Sequence, residues 1–419
     1  MKHFFWDTCR AYSIPLIAGV ITALVFANVM PEQYHHIIHE EWGNTDFSFH
    51  WLINDVFMVF FFGIATVDLV DSLSEGGALN PLSKAVAPLM ATLGGVLGPV
   101  AVFILINFLF GSDTYSNGWG ICTATDIALA WFFAKIILGP KHPAVKFLLL
   151  LAVVDDAIGL IIIAIFYPQP GKELQLIWLL LIPVAMLTAF IMRKLNIYHF
   201  SWYLCCGVVS WLGMFYAGIH PALALVFIIP IMPKKGRLIR NPNEYGLDHR
   251  VGNATLHMFE YTVNPIVDYG LFFFGFVCAG VRFSGITDLT FITLIAFLIG
   301  KSGGITLFTA IALKLKAKLP HGMTFSDVII VSMISGIGLT VALFVAESAF
   351  TDATLTDSAK MGALFSVFAA VPAFLTARIL SAVKHTKTNP QKNSHEPHHE
   401  PHIEPAENNK PTILNRKDM

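Results

Sequence analysis

Four ionisable side chains lie inside long apolar runs, where a charge is costly to bury. They are Asp126, Asp155, Asp156 and Lys301. Ionisable groups that persist at the centre of a membrane usually face the interior of a helix bundle or a wet cavity, and they often mark the path of an ion. The types and positions of these four residues therefore indicate a site that handles ions or protons.

The adjacent pair Asp155 and Asp156 is the most informative of these features. Neighbouring residues on a helix differ in direction by about 100 degrees, so the two side chains diverge, yet both can border one cavity. Two close carboxylates in a low-dielectric site do not both lose their protons easily unless a cation arrives. A cation then binds only when protons leave, and a proton returns only when the cation leaves, which is the chemistry of exchange.

Lys301 could pair with one Asp in the cation-free state and give way during a transport cycle. The alternative, a static buried salt bridge, explains Lys301 and one Asp but leaves the second Asp without a role. Oxygen ligands suit Na⁺ or Li⁺ better than a transition metal, so we expect these ions at Asp155 and Asp156, and no cofactor. Thr125 offers a further hydroxyl and carbonyl, or it simply packs a helix, and Asp126 is either a polar partner or a residue that screens a helix end.

Two of the apolar runs carry residues that weaken a helix near the middle of the membrane. These residues are Gly118, Gly120, Thr123 and Thr125 before Asp126, and Gly336, Gly338 and Thr340 in the later run. Interrupted helices in corresponding places of two halves point to a transporter site, because helix ends present partial charges to ions. Close helix packing is the alternative explanation for Gly336 and Gly338.

The rest of the sequence indicates which elements have to hold these residues. Of 419 residues, 55% are hydrophobic and only 13% are charged, where an ordinary soluble domain has roughly 25% charged residues. A helix needs about 20 apolar residues to cross a bilayer core of about 30 Å. Twelve runs fit this requirement, the eighth being short: 12–29, 51–70, 86–110, 118–138, 145–167, 174–192, 202–217, 221–232, 262–281, 289–313, 327–350 and 361–383. We predict an all-α polytopic membrane protein with twelve transmembrane helices.

Lysine and arginine residues alternate between the connections of these runs. One set of connections holds Lys2, Arg10, Lys84, Lys135, Lys141, Lys146, Arg193, Lys194, Lys234, Lys235, Arg237, Arg240, Arg250, Lys314, Lys316, Lys318, Arg378, Lys384 and Lys387. The opposite set holds only Lys172, Arg282 and Lys360. Because cytoplasmic connections carry the excess of basic residues, the bias supports twelve spans and places both termini in the cytoplasm.

The remaining composition excludes several classes of protein. A formal net charge of −1 argues against a nucleic-acid-binding protein. The five cysteines form no CxxC pair, so we expect neither a zinc site nor a disulfide framework. Residues 1–383 are predicted to form the transporter domain. Residues 384–419 are rich in His, Pro and Glu, and they are predicted to be a disordered cytoplasmic tail.

The ordered motifs of the chain resemble those of the NhaA-type sodium/proton antiporters of bacterial inner membranes. The resemblance rests on WLINDVFMVFFF at 51–62, TATDIALA at 123–130, VVDDAIG at 153–159, LIGKSGGI at 298–305 and SGIGLTVALF at 335–344. Such proteins are themselves an example of inverted repeats built around broken helices. The resemblance implies inverted repeats formed by the third to fifth and the tenth to twelfth spans, with the fourth and eleventh spans discontinuous and crossing.

The resemblance also implies a function. The family exchanges cytoplasmic Na⁺ or Li⁺ for more than one external H⁺ by alternating access, electrogenically, and it serves pH and sodium homeostasis. By matching position, Asp155 and Asp156 are expected to bind the ion and protons and Lys301 to pair with the first of them, while Asp126 and Thr125 are the polar partners at the broken helix. A homodimer contact is expected in the first external loop, near residues 30–50.

Accessory acidic positions show where the chain departs from the family. Asp55, Asp68 and Glu260 match acidic family positions, but the stretch after the second span reads TVDLVDS instead of a GLEIKRE-like sequence. Tyr261 and Asn264 occupy positions where the family has histidines, and Cys278 stands where Asn is typical. These departures put the pH-activation profile and the ion preference in doubt.

Three other functions compete with antiport. An intramembrane aspartyl protease needs two carboxylates that meet from separate helices, usually with a GxGD turn, which the sequence lacks. A proton-coupled carrier of an organic solute would need a roomier site with aromatic or arginine anchors for the solute, and apart from Lys301 the sequence has no basic residue at mid-membrane. A passive channel is harder to exclude, although the Asp pair set against Lys301 suits alternating access better than an open pore.

Overall fold

A computed structural model describes residues 14–43, 47–74, 77, 82–168, 175–234 and 255–388. Within these ranges the chain is helical and contains no β-strand. It divides into a large compact unit, Met1–Arg378, and a second unit, Ile379–Met419. All candidate site residues belong to the first unit. Of the predicted disordered tail, 384–419, residues 384–388 continue the last helix, and residues 389–419 lie outside the described residues.

Within the described residues, the first half of the chain forms seven helices. They are α1 (Ile14–Val29), α2 (Pro31–His39), α3 (Phe49–Leu73), α4 (Leu82–Phe110), α5 (Asp113–Thr123), α6 (Ile127–Leu138) and α7 (Pro143–Phe166). Helix α5 is a 3₁₀-helix, and α3 contains a π-helical stretch at Leu52–Phe57. Helix α7 begins at Pro143, where the missing N–H of proline costs nothing because a first-turn N–H has no intrahelical acceptor.

The second half also forms seven helices. They are α8 (Leu176–Lys194), α9 (Phe200–Ala217), α10 (Thr255–Cys278), α11 (Asp288–Lys314), α12 (Phe325–Ile334), α13 (Thr340–Ala349) and α14 (Ala353–Leu380). Helix α11 contains a π-helical stretch at Ala296–Lys301. The last helical turns after α14 continue to Thr388.

The predicted eighth span at 221–232 is not a regular helix. Residues Pro221–Leu223 and Ile229–Ile231 form short 3₁₀ turns, with turn residues between them. Pro230 lacks a backbone N–H and cannot extend an α-helix through this segment. The segment is nonetheless mostly buried, with Leu223 and Ile228 almost fully enclosed.

Eight of the described helices are long and apolar enough to cross a membrane, namely α3, α4, α7, α8, α9, α10, α11 and α14. Helices α5 and α6 make a ninth if this bent pair counts as one span, and α1, α12 and α13 are shorter apolar helices. The chain is therefore a multi-pass, all-helical membrane protein, as the sequence predicted. The exact number of twelve spans stays a prediction.

Two pairs of helices are interrupted where the sequence predicted weak helices. Helices α5 and α6 meet at a bend of 57° across three extended residues, and α12 and α13 are separated by residues 335–339. The two breaks touch, since the Asp126 N–H donates to the Ile337 carbonyl at 2.8 Å. The interrupted backbone groups therefore find partners in each other, which a membrane interior requires.

Two residues outside the site, Lys360 and Tyr34, are held by the fold and do not lie in free loops. Lys360 does not lie in a connection, as the basic-residue pattern predicted, but is buried inside α14. Tyr34 anchors the short helix α2 by donating from its hydroxyl to the Phe276 carbonyl at 2.6 Å. Burial raises the pKa of Tyr34 far above its ordinary value, so this hydroxyl keeps its proton and remains a donor.

Candidate ion-binding site

Asp155 and Lys301 form a fully buried ion pair between α7 and α11. Lys301 Nζ lies 3.2 Å from Asp155 Oδ2, and both side chains have no exposed surface. Lys301 stands at the end of the π-helical stretch of α11, and π-helical turns are frequent at functional sites. The pair is thus held at the centre of the molecule by two long apolar helices.

The break between α5 and α6 supplies two further partners for this pair. Lys301 Nζ donates to the Thr123 carbonyl at 2.6 Å, and the Thr125 hydroxyl lies 2.9 Å from Asp155 Oδ2. The same hydroxyl also lies 3.3 Å from the Ser335 carbonyl of the second break. Thr125 therefore contacts the acidic pair and does not only bond its own helix.

Asp156 follows Asp155 on α7, but the described ion pair of Lys301 is with Asp155 and not with Asp156. Asp156 is buried at 6% exposure. Asp156 Oδ1 and Asp155 Oδ1 have no hydrogen-bond partner among the described residues. Buried polar oxygens without partners are rare in folded proteins and call for a functional explanation. The site thus has spare oxygen ligands and two carboxylates for one lysine.

Asp126 connects the two breaks and does not contact Lys301 directly in the described contacts. Its Oδ1 accepts from the Leu129 N–H at 2.9 Å, which caps α6, and its Oδ2 accepts from the Thr340 N–H at 3.2 Å, at the start of α13. A carboxylate at the N-terminal ends of two helices is stabilised by their dipoles. Asp126 therefore screens helix ends, which is one of the two roles the sequence allowed.

The glycines of the second break are explained by tight contacts. A Cβ at Gly338 would meet the ring of Phe297 and would lie 2.9 Å from the Ala124 carbonyl oxygen, while a Cβ at Gly336 would lie 3.0 Å from the Phe297 carbonyl oxygen. The Gly338 N–H donates to the Ser366 hydroxyl at 3.0 Å. These positions therefore need glycine so that the two breaks and α11 can approach each other.

A glycine interface between α4 and α11 was not anticipated from the sequence. A Cβ at Gly94 would meet the Gly304 carbonyl, and a Cβ at Gly98 would meet the Gly300 carbonyl. Gly94 and Gly98 on α4, and Gly300 and Gly304 on α11, have the small-xxx-small spacing that lets membrane helices approach closely. This spacing could have predicted the interface from the sequence. Gly95 lies beside them and leaves space at the site, since its Cβ would lie 3.3 Å from Asp155 Oδ1.

The arrangement has a defined chemical capacity. The two free carboxylate oxygens, the Thr125 hydroxyl and the carbonyls of the interrupted segments are hard oxygen ligands, which suit an alkali cation. A cation at Asp155 would compete with the Lys301 ammonium for the same carboxylate. The site can therefore hold either an internal lysine pair or an external cation, and its carboxylates can carry protons.

Comparison with protein families shows to which family the chain belongs. A family model described as Na+/H+ antiporter 1 matches residues 4–377. The chain belongs to this antiporter family. The resemblance to NhaA-type proteins predicted from the motifs is thereby confirmed.

Individual relatives are similar over almost their whole length. A protein of Desulfitobacterium hafniense (strain DSM 10664 / DCB-2), called Na(+)/H(+) antiporter NhaA, is 49% identical over 379 residues, covering 90% of this chain and 96% of the relative. One of the same name from Geotalea uraniireducens (strain Rf4) is 47% identical over 381 residues, with coverage of 90% and 96%. Another from Jannaschia sp. (strain CCS1) is 38% identical over 421 residues, with coverage of 90% and 98%.

Among solved structures, the chain is weakly similar to the sodium proton antiporter MjNhaP1 from Methanocaldococcus jannaschii at pH 8. The TM-score is 0.47 at 13% sequence identity, over 88% of this chain and 91% of that chain. A likeness of this size is too low to establish a shared fold.

Within this antiporter, the accessory acidic residues form two separate groups away from the lysine pair. Asp55 lies in the π-helical stretch of α3, with its Oδ1 3.6 Å from His220 Nδ1. Asp68, which is exposed near the end of α3, is close enough to Glu260 for their charges to interact. The structure does not bring either group into contact with Asp155 or Lys301 in the described hydrogen bonds.

The second accessory group includes a histidine that the sequence argument overlooked. His257 Nδ1 lies 3.2 Å from Glu260 Oε2 and 4.0 Å from Asp71 Oδ2. The three side chains present ligand atoms within 4.8 Å of one another. They occupy the region where the TVDLVDS stretch departs from the family, so α3 and α10 are joined here by a histidine and carboxylates.

Proposed function

We propose that the protein is a secondary antiporter that exchanges Na⁺ for H⁺ across the membrane. The observation that carries this proposal is the buried site in which two adjacent carboxylates face one lysine, with Oδ1 of Asp155 and of Asp156 unpartnered. The family and the relatives, all named Na(+)/H(+) antiporters, support the same exchange.

The geometry suggests how exchange is coupled. In the cation-free state, Lys301 neutralises Asp155, and Asp156 keeps a proton because a second buried carboxylate charge nearby is costly. Na⁺ binds when the proton leaves Asp156 and when Lys301 gives up its own proton as the Asp155 oxygens turn to the ion, so two protons leave for one Na⁺ and net charge crosses the membrane in each cycle. Proton return reverses both changes, so one site serves the two ions in alternation.

The finer features of the transporter belong to the same proposal. We assign twelve spans arranged as inverted repeats, with the segment 221–232 as a short eighth span and the fourth and eleventh spans discontinuous and crossing. The alternation of basic residues supports a bacterial inner-membrane protein with both termini in the cytoplasm. Li⁺ is a second transported cation, exchange is electrogenic and serves pH and sodium homeostasis, and the protein is a homodimer.

Everted vesicles test the exchange directly. A proton gradient is imposed, and lumenal pH is followed when Na⁺, Li⁺ or K⁺ is added between pH 6 and 9. We expect Na⁺ and Li⁺ to dissipate the gradient and K⁺ to have no effect. Absence of a response to Na⁺ and Li⁺ at every pH would exclude antiport.

Two variants and a control locate the activity. Asp155→Asn and Asp156→Asn should each abolish the response, because each removes a carboxylate that has to alternate between ion and proton. Asp71→Asn should retain it, because Asp71 lies at the exposed end of α3. In proteoliposomes, a current that saturates with Na⁺ would distinguish the antiporter from a channel or an organic-solute carrier.

A further inference from the structure

A second buried charged cluster lies outside the ion site. Glu347 accepts from Lys360 Nζ at 2.6 Å, and its other oxygen contacts the amide of Asn54 and lies 3.1 Å from His50 Nε2. The Glu347 side chain is only 12% exposed and that of Lys360 only 10%. A buried carboxylate with three donors around it is fully satisfied, unlike the carboxylates of the ion site.

This cluster joins four helices. His50 and Asn54 lie on α3, Glu347 on α13 and Lys360 on α14. Cys278, the last residue of α10, is fully buried and its Sγ lies 3.3 Å from Asn54 Oδ1. The cluster therefore fixes the ends of α3, α10, α13 and α14 relative to one another.

Helix α13 connects the cluster to the ion site. It begins at Thr340, whose N–H donates to Asp126 at the two breaks. Glu347 follows seven residues later, about two turns or 10.5 Å along the same face. Because α13 has only ten residues, a displacement at Glu347 is transmitted to the break beside Asp126.

A water-sized route reaches the cluster from one side. A cavity of about 600 Å³ is lined by His50, Glu347 and Lys360 of the cluster and by His39, Arg282 and Asp357. Arg282 lies in a connection opposite to the basic ones, so this face is external in the proposed orientation. The cavity is wide enough for water, which would solvate the charged groups if the helix ends separate.

We propose that Glu347 is a positioning residue whose contacts with Lys360, His50 and Asn54 form an external latch. The latch is closed while the ion site is shut from the outside, and it opens when the site turns outward. This inference rests on the proposed exchange function, because only alternating access requires these helix ends to separate. Breaking the pair inside the protein costs free energy, while breaking it into the water-filled cavity costs much less.

Native Cys278 reports the state of the latch. Right-side-out vesicles are treated with a membrane-impermeant maleimide, and labelling of the Cys278 peptide is followed by mass spectrometry. We expect slow labelling in the wild type at rest and faster labelling during Na⁺/H⁺ exchange. Glu347→Gln weakens the latch and should accelerate labelling at rest by about threefold or more, through a shift of population to the open state.

A matched control is the exposed pair of His36 and Glu40 on the same face, whose side chains are 68% and 58% exposed. Glu40→Gln should leave the labelling rate unchanged. Cys206 is buried against Met192 in the part of α9 that follows a basic, cytoplasmic connection, so its labelling is measured in the same vesicles with a membrane-permeant maleimide. It reports general loosening and should not become more reactive in Glu347→Gln. The cytoplasmic Na⁺ concentration for half-maximal exchange should rise by a factor similar to that of labelling, with maximal rate largely retained.

The same vesicle batches are assayed for exchange, so that failures can be separated. A wild type without exchange contradicts the proposed function itself. A wild type with normal exchange, in which Cys278 labelling is the same at rest, during exchange and in Glu347→Gln, overturns the latch.

A purely structural role would appear as equal acceleration of labelling at Cys278 and Cys206, and this too rejects the latch. If Glu347→Gln does not fold, the double variant Glu347→Leu/Lys360→Met replaces the buried pair by apolar side chains of similar size, a change that proteins often tolerate. Faster Cys278 labelling in this variant supports the latch, and unchanged labelling rejects it.

Discussion

The ion site and the latch each bury one lysine against carboxylate oxygen, but they differ in how completely their polar atoms are satisfied. In the latch, one carboxylate, that of Glu347, is held by a lysine, an amide and a histidine. In the ion site, two carboxylates share Lys301, and one oxygen of each has no partner in the described part of the chain.

This difference in hydrogen bonding is what we expect between a site that binds ions and a contact that only holds helices together. A carboxylate whose two oxygens both have partners gains less from an added cation, because the cation has to compete with contacts that already exist. A carboxylate with a free oxygen gains a ligand contact when a cation arrives and an O–H when a proton arrives. Incomplete satisfaction is costly for stability, and its presence at the Asp pair supports the proposal that ions exchange there.

The largest expected effect compares the two lysines directly. Lys301→Met leaves Asp155 buried with only the Thr125 hydroxyl near its Oδ2, and removing one partner of a buried pair typically costs about 3–5 kcal/mol. We expect Lys301→Met to lose exchange and to melt at a clearly lower temperature in detergent. Lys360→Met leaves Glu347 its amide and histidine contacts, so it should retain exchange within about threefold, a change of less than 1 kcal/mol.

The comparison fails if the two lysine variants are impaired to the same extent. Equal loss of exchange would mean that Lys360 belongs to the transport chemistry, and equal retention would mean that Lys301 is only structural. Exchange in everted vesicles and thermal unfolding of the purified variants give the two measurements.

An intermediate effect concerns the glycine interface that brings Lys301 to Asp155. Gly304→Ala would place a Cβ against the Gly94 carbonyl, and overpacking of this kind costs about 1–3 kcal/mol. We expect less folded protein, a lower melting temperature and weaker exchange. Gly303→Ala is the matched control, because its Cβ would meet nothing within 4 Å, and this variant should be as stable as the wild type or slightly more so.

If Gly303→Ala were as damaging as Gly304→Ala, the close approach of α4 and α11 would not be the cause. An effect on stability and exchange seen for Gly304→Ala and not for Gly303→Ala would show that the ion site depends on the close approach of α4 and α11.

The smallest expected effect is a pH response at the rim of the latch. Burial, together with the neighbouring rings of His50 and His35, lowers the pKa of His39 from 6.5 to about 4. His39 therefore binds a proton more readily when α2 is detached from the rest of the protein than when α2 is packed against it. As a result, the packing of α2 is at full strength above pH 6.5 and weakens as pH falls from 6.5 toward 4.

Hydrogen exchange of residues 31–39 checks this expectation once the intrinsic pH dependence of exchange is subtracted. Protection should fall over that range, by less than the whole pKa difference implies because the His39 side chain is exposed and solvent screens its interactions. His39→Gln should remove the pH dependence. A wild type whose protection is constant from pH 6.5 to 4 would show that the external rim does not respond to protons in this way.

Sequence reasoning found the residues that break a general rule of membrane proteins. Asp126, Asp155, Asp156 and Lys301 were visible because charge is rare in apolar runs. Glu347 breaks the same rule inside the predicted span 327–350 and could have been found, but it has no neighbouring acidic residue to draw attention to it. Gly94, Gly98, Gly300 and Gly304 could have been found by their spacing.

The sequence by itself determined the class of protein, the run of membrane helices, the family and the residues of the ion site. These depend on local composition, on hydropathy and on short motifs, which are properties of contiguous residues. The sequence wrongly predicted a helix at 221–232, where proline geometry leaves only 3₁₀ turns. It also wrongly predicted that Lys360 lies in a connection, although tertiary packing buries this residue in α14.

Only the tertiary structure decided which groups meet. The pairing of Asp155 with Lys301 spans 146 positions of the chain, and that of the two breaks through Asp126 and Thr340 spans 214. Whether a carboxylate oxygen is left without a partner depends on several distant segments at once. That property separates the exchange site from the latch, and no single segment of the sequence contains it.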